Sequence, residues 1–209
     1  MNRAVDGLSA TGAGLRLIPV MVCGVSGSLF GGKVMALTGR YYWLTVGSVC
    51  ISILGAITIF LFSGLVLDFS WGMVIGLGMV MFGGGSSITT TLINVIANAD
   101  PKDQAIATAC TYLFRSLGSV VGVSWAATVV QQSLRTQLRA KLDSEGDADE
   151  IVKRVRQSLT FIGTLKPHTR LIVTKCYQKA TNSAFGVSIA VITFALVSTL
   201  FIKEKRLSR

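Results

Sequence analysis

Acidic residues are missing from the most apolar parts of this chain. The 209 residues include ten Asp and Glu against twenty Lys and Arg, and 51% of the residues are hydrophobic. Five long apolar stretches contain no acidic residue; they cover residues 15–37, 42–63, 71–97, 105–130 and 183–202. A helix needs about 20 apolar residues to cross the hydrocarbon core of a bilayer. The sequence therefore predicts an all-α membrane protein with five transmembrane helices, and lipid as its surroundings.

Histidine and cysteine are too scarce or too scattered to build a catalytic or metal site. His168 is the only histidine, and the four cysteines contain no Cys-x-x-Cys pair. Zinc and redox sites normally need such spacing. A Ser-His-Asp triad would have to use His168, which has no nucleophile-elbow sequence around it. The sequence indicates no enzyme, no metal and no cofactor, and the cysteines are interpreted as small packing residues.

Charge is low overall, and its distribution argues against nucleic-acid binding. Charged residues make up 14% of the chain, and the net charge is +10. Ten of the twenty basic residues lie in the connection 131–182, together with five acidic residues. Most of the others flank the apolar stretches, where anionic lipid headgroups are their natural partners. We therefore expect a membrane partner and no nucleic acid.

The connections between the apolar stretches are of two kinds. Three are short, at residues 38–41, 64–70 and 98–104. The fourth, residues 131–182, has apolar and basic residues at helical spacing, which predicts one or two amphipathic helices on the membrane surface or on the ends of the bundle. Asp147 is a candidate helix cap in this connection, and Pro167 is expected to interrupt it.

Small residues recur at four-residue spacing in four of the stretches. Lipid gives helices little hydrophobic drive to associate, so close packing has to come from such residues. The repeats are Gly27-xxx-Gly31, Gly72-xxx-Gly76, Gly118-xxx-Gly122 and the series Ser48, Ser52, Ala56. Together they predict the contact faces of a tight helix bundle.

One charged residue lies near the middle of an apolar stretch. Arg115 is twelve residues from Asp103, or about 18 Å along a helix, which is too far for direct pairing. An intramembrane arginine normally faces a partner, the bundle interior or a wet cavity. Two interpretations remain open: Arg115 joins helices, or it lines a polar path. The polar side chains Ser86, Thr90 and Asn94 of the third stretch are candidates for the same path, although hydroxyls can also bond back to their own helix.

A short loop sequence then resembles a known family. Residues 32–40 read Gly-Lys-Val-Met-Ala-Leu-Thr-Gly-Arg, which resembles the cytoplasmic-loop motif Gly-x-Leu-Ala-Asp-Arg-x-Gly-Arg of the major facilitator superfamily. The matching positions are Gly32, Gly39 and Arg40. Ala36 and Leu37 replace the Asp and Arg of the motif, so its gating ion pair cannot be assigned to this chain.

The wider pattern is similar to the last five spans of fourteen-span drug:proton antiporters. It is carried by residues 13–19, 38–41, 107–109 and 112–118, and the run 112–118 is most similar to fungal vacuolar basic amino acid transporters and their multidrug-efflux relatives. The resemblance implies the C-terminal part of a transporter whose N-terminal spans are missing here. It implies proton-coupled transport of basic amino acids, with the vacuolar membrane favoured, or drug efflux at the plasma membrane as the alternative. A membrane enzyme and an assembly subunit are the other classes considered.

That resemblance also implies roles and an orientation. The substrate pathway would be lined by Arg115, Ser86, Thr90 and Asn94, and protons would be carried through the missing spans, because these five contain no acid. The short loops at 38–41 and 98–104 would face the cytoplasm. The connection 131–182 would face the vacuole lumen or the exterior.

Overall fold

The computed structural model describes residues 14–15, 17–63, 70–142 and 167–202. Within these ranges the chain is almost entirely helical and contains no β-strand. The helices are α1 (Ile18–Thr38), α2 (Tyr42–Phe62), α3 (Ser70–Asn98), α4 (Gln104–Leu142) and α5 (Pro167–Leu200). All five are long and apolar enough to cross a membrane. The predicted all-α membrane architecture is thus confirmed.

The first three helices begin and end close to the predicted boundaries. α1 and α2 have 21 residues each, or about 31 Å of helix, which matches a hydrocarbon core of about 30 Å. α1 ends at Gly39, whose φ of 64° lies in the left-handed region and whose N–H donates a 2.9 Å hydrogen bond to the carbonyl of Met35. A side chain is disfavoured in this conformation, so glycine fixes the turn into α2.

The last two helices are longer than predicted. α4 has 39 residues and α5 has 34, or about 58 and 51 Å, which exceeds the hydrocarbon core by about 20–30 Å. Residues 131–142 and 167–182 are helical, as predicted, but they continue α4 and α5 instead of forming separate helices. Pro167 is the first residue of α5, a position where its missing N–H leaves no hydrogen bond of that helix unmade. Asp147 and the rest of 143–166 lie outside the described residues.

Apolar side chains explain why these extensions stay together. Leu134 and Leu138 of α4, spaced by one helical turn, are 2% and 0% exposed. The buried side chains of the opposing part of α5 are Val173, Cys176, Ala180 and Asn182. α4 and α5 contact each other, and the hydroxyls of Ser133 and Ser183 lie 3.5 Å apart. The extensions thus form a helical hairpin with its own small core.

Small residues bring α1 and α2 against α3. A Cβ added at Gly31 would lie 2.8 Å from Ser86 Oγ, and one at Gly76 would lie 2.8 Å from Ile59 Cγ1 and 3.0 Å from the carbonyl oxygen of Gly55. A side chain at Gly31 would displace the Ser86 hydroxyl, and one at Gly76 would press on backbone atoms of α2. The Gly27/Gly31 and Gly72/Gly76 repeats are therefore contact faces, as predicted.

The third glycine repeat behaves differently. Nothing lies within 4 Å of a Cβ added at Gly118 or Gly122, so within the described part of the chain this face of α4 has no partner. Large apolar side chains on α4, such as Leu117 and Val121, are also more than half exposed. The predicted helix contact at Gly118 and Gly122 is not made among the described residues.

Candidate functional site

A cavity of about 510 Å³ lies between α3 and α4. Its volume falls in the range of ordinary ligand pockets, about 300–1,000 Å³. It is lined by Ser87, Ile88, Thr91, Leu92, Thr111, Tyr112, Phe114 and Arg115. Three apolar side chains and five side chains with hydrogen-bonding capacity therefore share one open space.

Helix periodicity explains why these residues meet. Ser87, Ile88 and Thr91 follow the i, i+1, i+4 spacing of one face of α3, and Thr111, Tyr112 and Arg115 repeat that spacing on α4. Gly84 precedes Ser87 by three residues on the same face of α3, and a Cβ added there would meet nothing within 4 Å. The two helices are joined by the short turn at 99–103, so their facing sides line one gap.

Most of the polar groups around this cavity have no partner in the described residues. No hydrogen bond is formed there by the hydroxyls of Ser87, Thr91 and Tyr112, and Arg115 forms neither a hydrogen bond nor an ion pair. Thr111 is the exception, because its hydroxyl donates to the carbonyl of Ala107 at 2.8 Å. An unsatisfied polar group in contact with lipid costs several kcal/mol, by order of magnitude, so within a membrane these groups require partners that the described residues do not supply.

Arg115 has no acidic neighbour among the described residues. The only described acids are Asp100 and Asp103, which precede α4 in the turn from α3. Asp103 is twelve residues from Arg115, or about 18 Å along the helix. The side chain of Arg115 is exposed in the cavity. Arg115 therefore supplies a positive charge that this part of the chain does not neutralise.

The structure does not bring the four predicted pathway residues together. Arg115 lines the cavity, whereas Ser86 and Thr90 are 1% and 0% exposed on another side of α3. Ser48 of α2 donates a 2.8 Å hydrogen bond to the hydroxyl of Ser86, and the Thr90 hydroxyl donates to the carbonyl of Ser87 at 3.1 Å. One residue along a helix turns the side chain by about 100°. The cavity is therefore lined by their neighbours Ser87 and Thr91, which the sequence analysis missed.

Asn94 belongs to a separate polar cluster at the end of α3. The amide nitrogen Nδ2 of Asn98 donates to Oδ1 of Asn94 at 2.8 Å and to the hydroxyl of Tyr41 at 3.1 Å. Tyr41 is fully buried and lies directly before α2. This cluster ties the end of α3 to the loop between α1 and α2 and is not part of the cavity lining.

The loop-motif residues have distinct structural settings. Gly39 is required by the left-handed turn described above. Gly32 is not tightly packed, since an added Cβ would come no closer than 3.9 Å to Thr89. Arg40 is exposed, and its backbone N–H donates to the hydroxyl of Thr38 at 3.4 Å. Only Gly39 therefore has a conformational reason for its identity.

A cavity between membrane-crossing helices that contains an arginine with no acidic neighbour among the described residues is typical of membrane transporters. Similarity to known proteins agrees with this class. The chain is 33% identical over 190 residues to multidrug resistance protein fnx1 of Schizosaccharomyces pombe, covering 88% of this chain and 34% of that protein. It is 32% identical over 205 residues to the vacuolar membrane amino acid uptake transporter fnx2 of the same yeast, covering 98% and 35%.

A third relative is vacuolar basic amino acid transporter 2 of Saccharomyces cerevisiae, which is 35% identical over 199 residues, covering 92% of this chain and 41% of that protein. Further fungal relatives are named MFS-type transporters. The homologues of this chain are thus transporters of the major facilitator superfamily, and the resemblance seen in the sequence is confirmed. The chain spans about a third of the length of these relatives. No family model matches the chain, and no solved structure matches it significantly.

Proposed function

We propose that this chain is the C-terminal part of a secondary transporter that moves basic amino acids into the vacuole in exchange for protons. The observation that carries the proposal is the cavity between α3 and α4, with Arg115 at its wall. Two relatives of similar identity are named as vacuolar amino acid transporters. Alternating access requires a site near the bilayer midplane that opens to each side in turn, and Arg115 lies near the middle of the apolar part of α4.

Proton coupling is assigned to a part of the transporter outside these helices. Proton relays in transporters are built from Asp, Glu or His side chains within the membrane. Among the described residues, the apolar parts of α1–α5 contain none of these three types, and Asp100 and Asp103 lie in the turn before α4. We therefore expect this chain alone to transport nothing.

Drug efflux is the second candidate, and the apolar share of the cavity lining favours it. Ile88, Leu92 and Phe114 line the same space as the polar groups, and a pocket lined by apolar and aromatic side chains suits a hydrophobic ligand. The relative named as a multidrug resistance protein is 33% identical. The two candidates differ in substrate and direction, so a transport assay separates them.

A chimaeric transporter tests the proposal. This chain replaces the matching segment of the fission-yeast vacuolar amino acid uptake transporter, and uptake of labelled arginine and lysine is measured in isolated, energised vacuoles. We expect uptake that collapses when the pH gradient is dissipated. The fission-yeast transporter without the replaced segment and this chain alone serve as matched controls, and neither should show uptake of arginine or lysine. A correctly localised chimaera that moves neither amino acid, but confers resistance to a cationic drug, would favour efflux instead.

A further inference from the structure

The geometry points to a carboxylate-binding subsite in the cavity between α3 and α4, formed by Arg115 with the hydroxyls of Ser87, Thr91 and Tyr112. This inference rests on the proposed function and deepens it, because it assigns the part of the substrate that this chain recognises. An amino acid has a carboxylate in addition to its side chain. We infer that the subsite holds that carboxylate and leaves recognition of the cationic side chain to the rest of the transporter.

The positive charge of Arg115 favours an anionic ligand group in the cavity. Arg115 is always protonated in proteins, and its planar guanidinium presents paired N–H donors that match a carboxylate. Neither Asp nor Glu lines the cavity among the described residues. A cationic ligand group would meet repulsion from Arg115 with no compensating acid nearby. A carboxylate gains charge-assisted hydrogen bonds, which are shorter and stronger than neutral ones.

The hydroxyls supply the remaining donors. Those of Ser87, Thr91 and Tyr112 form no hydrogen bond within the described residues, whereas that of the neighbouring Thr90 already donates to a backbone carbonyl. A carboxylate has two oxygens with about four acceptor positions. Bidentate pairing with Arg115 uses two of them, and the free hydroxyls can donate to the others. The groups without partners thus supply at least as many donors as one carboxylate can accept.

Depth in the membrane argues against a lipid headgroup as the anion. Arg115 is eleven residues from the start of α4 at Gln104, or about 16 Å along the helix, which is about half the thickness of the hydrocarbon core. Headgroup phosphates lie outside that core. A small molecule that enters a wet cavity reaches this depth, and the cavity of about 510 Å³ accommodates an amino acid.

Competition binding on the purified chain tests the subsite without any transport. The chain is held in dodecyl maltoside micelles, which contain no phosphate, and binding of labelled L-arginine is measured. Agmatine, which is arginine without its carboxylate, is the matched competitor. We expect saturable L-arginine binding and competition by agmatine that is weaker by roughly tenfold or more, as expected for the loss of a charge-assisted hydrogen-bonded pair. This comparison needs no variant and so does not depend on the folding of one.

Substitutions then test which side chains bind the carboxylate of L-arginine. Arg115→Gln should weaken L-arginine binding by roughly tenfold, whereas agmatine binding should not weaken, because agmatine has no carboxylate and its cationic groups are repelled by Arg115. Thr91→Ala should weaken L-arginine binding by a few-fold, whereas its matched control Thr90→Ala should not. Circular dichroism and size-exclusion chromatography report whether each variant is folded.

The subsite would be overturned if agmatine competed as well as unlabelled L-arginine. It would also be overturned if a folded Arg115→Gln chain bound L-arginine as tightly as the unmodified chain, or if the unmodified chain showed no saturable binding of L-arginine. None of these decides the proposed function. Uptake by the chimaera in vacuoles measures that separately, so transport with a failed binding test would leave the function and remove only the subsite.

Discussion

Three consecutive glycines on α3 face three different surroundings, which makes their alanine variants a sharp test of the fold. A Cβ added at Gly83 would meet the carbonyl oxygen of Ser48 and the hydroxyl of Ser52, and would lie 2.9 Å from the backbone nitrogen of Ser52. A Cβ at Gly84 would meet nothing within 4 Å. We therefore predict opposite effects of the same substitution at neighbouring positions.

The third glycine, Gly85, packs against α1. An added Cβ would meet the carbonyl oxygen of Gly24 and lie 3.2 Å from the backbone nitrogen of Ser28. Carbon atoms normally pack at about 3.5 Å or more, and these neighbours are backbone atoms that cannot rotate away. The helices would have to move apart by about half an ångström or more. Such overpacking costs about 1–3 kcal/mol, and the gain in helix propensity from Gly to Ala offsets about 1 kcal/mol.

The expected change in the free energy of unfolding is the overpacking cost less the gain in helix propensity. Gly83→Ala and Gly85→Ala should each lower the free energy of unfolding by about 1–2 kcal/mol, because the neighbours are rigid and the overpacking cost is at the upper end of its range. Gly84→Ala should leave it unchanged or raise it by up to about 1 kcal/mol. The measurement is SDS titration of the chain in dodecyl maltoside micelles, followed by circular dichroism. An equal loss at all three positions would refute the assigned packing of α3.

Two further substitutions test the turn after α1 and the hairpin formed by α4 and α5. Gly39→Ala should lower the free energy of unfolding by about 1–2 kcal/mol, because the φ of Gly39 is 64°. Gly39→Asn should lower it less, since Asn tolerates this region. Equal losses for the two variants in the same SDS titration would contradict the left-handed turn. Leu138→Ala should cost about 2–5 kcal/mol, because Leu138 is fully buried, whereas the matched control Leu113→Ala, at a 57% exposed position, should cost far less. Backbone hydrogen exchange should increase around Cys176 in the first variant only.

The sequence predicts the five helices well because lipid imposes a simple requirement. A membrane span needs about 20 predominantly apolar residues with few charges, and the chain has five such stretches, none of which contains an acidic residue. The C-terminal end of α4 and the N-terminal part of α5 are harder to predict. The sequence becomes more polar after residue 130, although α4 continues to Leu142. Leu134 and Leu138, at i and i+4, already show the spacing of a buried helix face. Their burial against α5 could not be known before the partner helix was placed.

The face of α3 that lines the cavity could not be chosen from sequence. Hydroxyl side chains occupy five of the six positions from 86 to 91, so polarity has no helical period there. Two neighbouring registers, one with Ser86 and Thr90 and the other with Ser87 and Thr91, fit the sequence equally well. The close approach of Gly85 to α1 and of Gly83 to α2 decides the register, because it turns Ser86 into the helix interface and leaves Ser87 on the open side.

Hydrogen-bond partners, rather than polarity alone, distinguish the two sides of α3. A polar group within a membrane has to be satisfied inside the protein or by water, and hydroxyls in the packed interface obey this rule. Ser86 accepts from Ser48, and Thr89 donates to the carbonyl of Gly85 at 3.3 Å. On the cavity side, Ser87 and Thr91 have no such partner among the described residues. That difference separates the packed face of α3 from its open face and is the reason for proposing a ligand on the open face.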